Sequence, residues 1–197
     1  MSEPNALAFA RTFLFVPADR PERYARALGS GAGAVIVDLE DAVAPDRKAA
    51  ARIGLAEAHA GLGTAERSRL LVRVNPHGTP WHDEDLALVE RLARQGLAGV
   101  VLPKAERAGQ LSRLAAAAGS HAVLVPLIES AAGLAALDEL AAGPQVLRLA
   151  FGHLDFQADL GLACDADEAE LVPVRLALVL ATRRTGIAAP IDGVTPD

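Results

Sequence analysis

Two apolar runs in this chain finish on a carboxylate. "LVPLIES" (124–130) carries Glu129, and "LRLAFGHLDF" (147–156) carries Asp155. A carboxylate is expensive to bury unless something positive meets it. If the runs are neighbouring strands, the two side chains can share a divalent cation. Two carboxylates completed by water and substrate oxygens are the usual surroundings of Mg2+, and clusters of histidine and cysteine suited to zinc are absent from the sequence. The competing reading is structural: Glu129 caps the next helix and Asp155 pairs with an arginine.

A third polar group stands inside an apolar run, Arg73 in "LVRVNP" (71–76). A guanidinium there can grip a carboxylate with both prongs and steady an enolate oxygen. It can equally form a buried ion pair with Glu40 or Asp41, and the two roles are compatible. "LEDAV" (39–43) sets Glu40 and Asp41 side by side. They can divide the work, one orienting Arg73 and one contacting metal-bound waters, and Asp41 can alternatively cap the helix ahead of Pro45. Arg20, Arg23 and Arg26 could meet the phosphates of a nucleotide-like substrate, or simply be solvated. Among the histidines, His77 and His82 flank a loop where substrate contact is conceivable, and His153 stands two residues before Asp155. His59 and His121 read as structural or solvated. Cys164 lies in an acidic stretch that raises a thiol pKa, which argues against a nucleophile.

The elements that would position these groups alternate along the chain. Strands are expected at 11–17, 34–41, 69–76, 99–104, 121–130, 146–155 and 188–194. Helices are expected at 18–31, 45–62, 81–96, 108–119, 131–143 and 168–186, with Asp19 capping the first of them. Near-continuous apolar strands separated by helices imply a parallel sheet covered on its faces. Without a glycine-rich dinucleotide fingerprint, the pattern indicates an α/β fold of the (β/α)8 TIM-barrel type rather than a doubly wound sheet. Chemistry in that architecture sits at the C-terminal strand ends. Those ends gather Asp19, Arg20 and Arg23, then Asp38, Glu40 and Asp41, then Arg73, Asn75, Lys104, Glu129, His153, Asp155 and Asp192. Such a barrel needs eight strands. The expectation is therefore one domain over residues 1–197 whose eighth strand and C-terminal lid are missing from the chain.

The totals exclude some classes. A net charge of −6 argues against a nucleic-acid binder, which normally shows a basic face. A single cysteine rules out a disulfide framework and fits a reducing cytoplasm. No run approaches a membrane span, and the first ten residues lack the features of a signal peptide.

Six motifs, "FLFVPADRPER", "VIVDLEDAVAPDRKAAAR", "LVRVNP", "GVVLPKAE", "VPLIESAAG" and "FGHLDFQADLG", occur in order over essentially the whole chain. Together they resemble the HpcH/HpaI aldolase and citrate lyase superfamily, most closely its citrate lyase β-subunit branch. The resemblance implies a Mg2+-dependent carbon–carbon lyase acting on a 3-hydroxy-acyl-CoA thioester of the citryl, malyl or citramalyl type, or on an acyl-carrier-protein equivalent. It places the metal ligands on Glu129 and Asp155 and the substrate arginine on Arg73, and it assigns the CoA-binding loop to Arg20 through Arg26. It implies a homo-oligomer, trimer or hexamer, and a general base on a lid beyond residue 197. Ala131 or Ala132 stands where many relatives carry an arginine, and Leu154 where β-subunit relatives often carry a glutamate, so the substrate stays open, citrate most of all. Two alternatives remain: a class II aldolase acting on free 2-keto acids, and a non-catalytic barrel subunit.

Overall fold

The computed structural model describes residues 5–120 and 122–195; His121, expected at a strand entry, lies outside them. Six strands form one sheet: β1 (Phe13–Pro17), β2 (Ala34–Asp38), β3 (Leu70–Arg73), β4 (Gly99–Leu102), β5 (Val123–Ile128) and β6 (Ala150–Phe151). They lie side by side in chain order and every pairing is parallel. A doubly wound sheet reverses its order at a switch point. This sheet never reverses. It curls instead into a half-barrel with helices on its outer face.

From β2 onward both faces of the strands are buried, while β1 leaves Leu14 and Phe15 exposed, and the two-residue repeat of extended chain sorts the faces. Val35, Val37, Leu70, Val72, Val100, Leu102, Leu124 and Ile128 pack outward against the helices. Ala34, Ile36, Leu71, Val101, Val125, Leu127 and Ala150 pack into the concave side. Continuing the inward parity by one step at the strand ends reaches Asp38 on β2, Arg73 on β3 and Glu129 just after β5. Alternation alone therefore delivers three charged groups to the mouth of the half-barrel.

The helices are α1 (Tyr24–Leu28), α2 (Lys48–Gly61), α3 (Thr64–Arg67), α4 (His82–Ala93), α5 (Ala108–Ala118), α6 (Ala131–Ala135), α7 (Leu137–Ala141), α8 (His153–Leu160) and α9 (Val172–Thr185). None of them is long and apolar enough to cross a membrane. α2 shows how they dock: Lys48, Ala51, Leu55 and His59 recur at helical spacing and are all buried.

Several expected boundaries change. Asp19 does not cap the first helix. A 3-10 turn at Pro21–Arg23 precedes α1 with no side-chain cap, and Asp19 faces Arg47 at 3.1 Å instead. The single helix expected at 131–143 is two short ones, α6 and α7, meeting at Ala136. Ser130, not Glu129, caps the first by accepting the Gly133 N–H at 3.1 Å. The sixth strand ends at Phe151 rather than Asp155, because the chain turns at Gly152 and enters α8. The expected seventh strand is reduced to one parallel bridge, Ala150 with Ile191. Pro190 has no N–H to extend that ladder.

The floor of the half-barrel is closed by Arg148, only 7% exposed. Its guanidinium donates to the carbonyls of Ala10 (2.6 Å), Leu7 (3.1 Å) and Ala189 (2.7 Å), and it stacks over Phe13 at 5.4 Å. One side chain thus ties the segment before β1 to the segment after α9. Replacing Arg148 by Met leaves those buried carbonyls without donors. The expected loss is about 2–4 kcal/mol in urea unfolding with native far-UV circular dichroism retained.

Candidate active site

The inward face and the strand ends enclose a cavity of about 750 Å3. Its floor is Arg11, Thr12 and Arg148, its wall is apolar, and its rim carries Asp38, Asp41, Arg73, Glu129, Asp155 and Asp192. Arg73 is the centre of the rim. Asp38 and Arg73 are register partners on adjacent parallel strands. The Asp38 carboxylate accepts from Arg73 Nε at 2.7 Å and from Nη2 at 2.6 Å, a two-pronged grip. The same carboxylate accepts the N–H groups of Glu40 and Ala42, both at 2.9 Å, which curls the chain after β2 into a turn. Phe15 lies under the guanidinium at 5.0 Å.

Glu40 and Asp41 divide as their neighbours dictate. Glu40 is buried, with Oε2 2.9 Å from Arg73 Nη1 but off any hydrogen-bond line, so that oxygen is a buried acceptor without a donor. Asp41 is 68% exposed and 3.5 Å from the same nitrogen. Burial pushes the Glu40 carboxyl up to about 8 against the pull of Arg73, with Asp41, Glu129 and Asp38 adding to the rise.

Glu129 is positioned by main chain. Its Oε1 accepts the N–H of Lys104 at 2.7 Å, and Lys104 has left-handed backbone (φ 46°). Its Oε2 lies over Gly152, where an added Cβ would come within 2.5 Å of that oxygen. Only glycine leaves room for the carboxylate there. Burial raises the Glu129 carboxyl to about 7; the Lys104 N–H opposes this and Asp155 reinforces it. Asp155 reaches the cavity from the first turn of α8 and has no ion-pair partner among the described residues. These donors fit a hard cation. Among the described residues no group of three or more His, Cys, Asp or Glu could hold a metal. A divalent ion between Glu129 and Asp155 would take its other oxygens from water or ligand, as Mg2+ habitually does.

The other expected residues fall elsewhere. Arg20, Arg23 and Arg26 are exposed on the segment after β1 and do not line the cavity, and among the described residues Arg20 pairs with Glu22 at 3.9 Å. His82 is buried against the Asn75 carbonyl at 2.8 Å, with His77 packed edge-on at 5.3 Å, and neither touches the cavity. His153 does line it, with Nε2 3.2 Å from Glu168. Glu168 also pairs with Arg175, whose Nε donates to Asp192 at 2.9 Å. Partial burial and the nearby Glu170 push the Cys164 thiol up, and Cys164 is not part of the lining.

Sequence reasoning missed Asp38 as the partner of Arg73, and it missed Lys48. The Lys48 ammonium is buried behind the rim, donating to the carbonyls of Leu39 and Glu40, each at 2.7 Å, and to Asn75 Oδ1 at 2.6 Å. Counting register between the two strands would have found Asp38. The helical spacing of Lys48 with Ala51 and Leu55 would have marked Lys48 as buried.

A carboxyl whose pKa rises on folding stabilises the fold while protonated, fully so below its unfolded value near 4.5. That contribution is lost as pH climbs through about 7 for Glu129 and about 8 for Glu40. In EDTA, the thermal midpoint should therefore fall between pH 5 and 8.5, and Glu40→Gln should flatten the upper part of that decline.

The chain matches the model of the HpcH/HpaI aldolase/citrate lyase family over residues 11–197. It is 38% identical over 157 residues to a citrate lyase subunit beta-like protein of Mycobacterium tuberculosis, covering 80% of this chain and 52% of that protein. It is 36% identical over 163 residues to an L-malyl-CoA/beta-methylmalyl-CoA lyase of Cereibacter sphaeroides, covering 77% of this chain and 51% of that one. The chain spans about half the length of these curated relatives. Among solved structures, it is similar to the citrate lyase beta subunit complexed with oxaloacetate and magnesium from M. tuberculosis. That similarity has a TM-score of 0.81 at 37% identity and covers 97% of this chain and 82% of that one.

Proposed function

The chain belongs to the HpcH/HpaI aldolase/citrate lyase family, and from that membership we propose that it is a Mg2+-dependent carbon–carbon lyase. It cleaves or forms a 3-hydroxy-acyl-CoA thioester of the citryl, malyl or citramalyl type, by retro-aldol or Claisen chemistry. The observation that carries this reading is one cavity that holds both the clamped Arg73 and the Glu129–Asp155 pair. A relative solved with oxaloacetate and magnesium and another that is a malyl-CoA lyase support the substrate class.

In cleavage, the bond between the hydroxyl-bearing carbon and the thioester α-carbon breaks. Its electron pair moves onto the thioester carbonyl as an enolate, a general base takes the hydroxyl proton as the keto acid forms, and the enolate carbon is then protonated to give the acyl-CoA. Glu129 and Asp155 would hold the Mg2+, which when bound supplies Lewis-acid polarisation of a keto-acid carbonyl. Arg73, with its Nε and Nη2 held by Asp38 and its Nη1 flanked by Glu40 and Asp41, would present its guanidinium to a carboxylate or a developing oxyanion in the cavity. Glu40 flanks that guanidinium, with burial raising its proton affinity, and Asp41, exposed at the rim, would face waters carried by the metal. The apolar wall would lie against the reacting carbons.

The half-barrel is read as part of one (β/α)8 domain. A cytoplasmic setting accords with the lone cysteine. Assembly as a trimer or hexamer accords with the exposed apolar stripe of Val172, Leu176, Val179 and Leu180 on α9.

Calorimetric titration of Mg2+ tests the metal pair. Asp155→Asn should weaken binding by about tenfold or more, and equal affinity in both proteins would sink the assignment. A second reading, an aldolase acting on free 2-keto acids, is favoured by one observation: Arg20, Arg23 and Arg26 stand away from the cavity. Reversing Arg23 and Arg26 to Glu separates the two readings. A CoA lyase should lose thioester affinity while pyruvate binding stays unchanged, whereas an aldolase should show no change in either.

A further inference from the structure

Lys48 opens α2, is 4% exposed, and has no carboxylate within ion-pair reach among the described residues. All three of its hydrogen-bond acceptors are neutral oxygens. Two of them, the carbonyls of Leu39 and Glu40, belong to consecutive residues of the turn after β2. The third, Asn75 Oδ1, belongs to the segment after β3. Asn75 is itself fixed, since its main-chain N–H and its Nδ2 both donate to Asp85 Oδ2, at 2.7 and 2.6 Å, and Asp85 is paired with Arg52 at 3.1 Å. The Trp81 ring covers the ammonium at 4.9 Å.

The turn that Lys48 holds is the one that aims the rim. Its first residue, Asp38, grips Arg73, and Glu40 flanks the same guanidinium. Both carbonyls converge on the one ammonium, and the Glu40 carbonyl accepts the Val43 N–H at 3.3 Å as well. Because the Glu40 carbonyl faces Lys48, its side chain is left to face Arg73. The ammonium also places a second positive charge behind a rim that carries Asp38, Glu40 and Asp41 against Arg73 alone.

We propose that Lys48 is a positioning residue for keto-acid binding: by converging the Leu39 and Glu40 carbonyls, it fixes the turn that orients Arg73. It touches no substrate and acts through Asp38 and Glu40. The inference rests on the lyase reading, and its test separates the two.

Pyruvate is titrated by calorimetry into the Mg2+-loaded protein, and Mg2+ into the metal-free protein, for wild type, Lys48→Met and Lys48→Ala. Circular dichroism checks the fold of each variant. Lys48→Met keeps the length of the side chain and removes its charge and donors. It should weaken pyruvate binding by about tenfold or more, as loss of a charge-assisted contact implies, with Mg2+ affinity unchanged within about twofold. Lys48→Ala should behave alike and recover most of its pyruvate affinity in propylammonium, which restores the missing cation. If wild type binds no pyruvate, the lyase reading fails and this inference goes with it. If wild type binds and Lys48→Met binds equally well, Lys48 alone is refuted. Equal losses for pyruvate and Mg2+, no recovery in propylammonium, or failure of both variants to fold would make Lys48 a scaffold residue and overturn the proposal.

Discussion

The two-pronged bond between Asp38 and Arg73 is the contact on which the rest of the site depends. Both residues end their strands, stand opposite one another in register, and point into the concave side. A guanidinium at an apolar strand end is tolerable only when its charge and its donors are met. Asp38 meets both, and with its spare lone pairs it also winds the following turn. One carboxylate therefore neutralises the cation, fixes its plane and, with Lys48 on the other side of the turn, places Glu40. The carboxylates crowd closely enough that burial leaves Glu40 and Glu129 with raised proton affinity.

Much of this was legible in the sequence. The strands announced themselves as runs of Val, Ile and Leu, because a parallel sheet covered on both sides needs no polar face. Arg73, Glu129 and Asp155 were conspicuous as charges attached to such runs, and the structure brings all three to one cavity. What stayed hidden depended on pairing across distance. Asp38 was one of three acids at a strand end, and only the register of two strands 35 residues apart singles it out. Arg148 is embedded in "VLRLAF" and satisfied entirely by carbonyls, which have no residue signature. The sixth strand looked long because Gly152 and His153 follow apolar residues without a proline or a polar break. The turn there is forced by packing over Glu129, a contact the local sequence does not encode.

The two ends of the half-barrel use arginine in opposite ways. At the floor, Arg148 spends its donors on main-chain oxygens and gathers segments far apart in the chain, so its charge serves as structure. At the mouth, Arg73 is pinned by side-chain carboxylates and lines the cavity. Both guanidiniums lie over a phenylalanine of β1, Phe13 below and Phe15 above, at successive inward positions of one strand. The same alternation that builds the core thus gives each cation an aromatic partner.

The seat of Glu129 joins two positions that work in opposite ways. Its carboxylate is held by an amide hydrogen of position 104 and by empty space above position 152, and neither hold uses a side chain. Position 104 nonetheless acts on the carboxylate twice, through its amide hydrogen and through its ammonium charge, which opposes protonation of Glu129. Position 152 acts by what it lacks, since any Cβ there would meet the carboxylate itself.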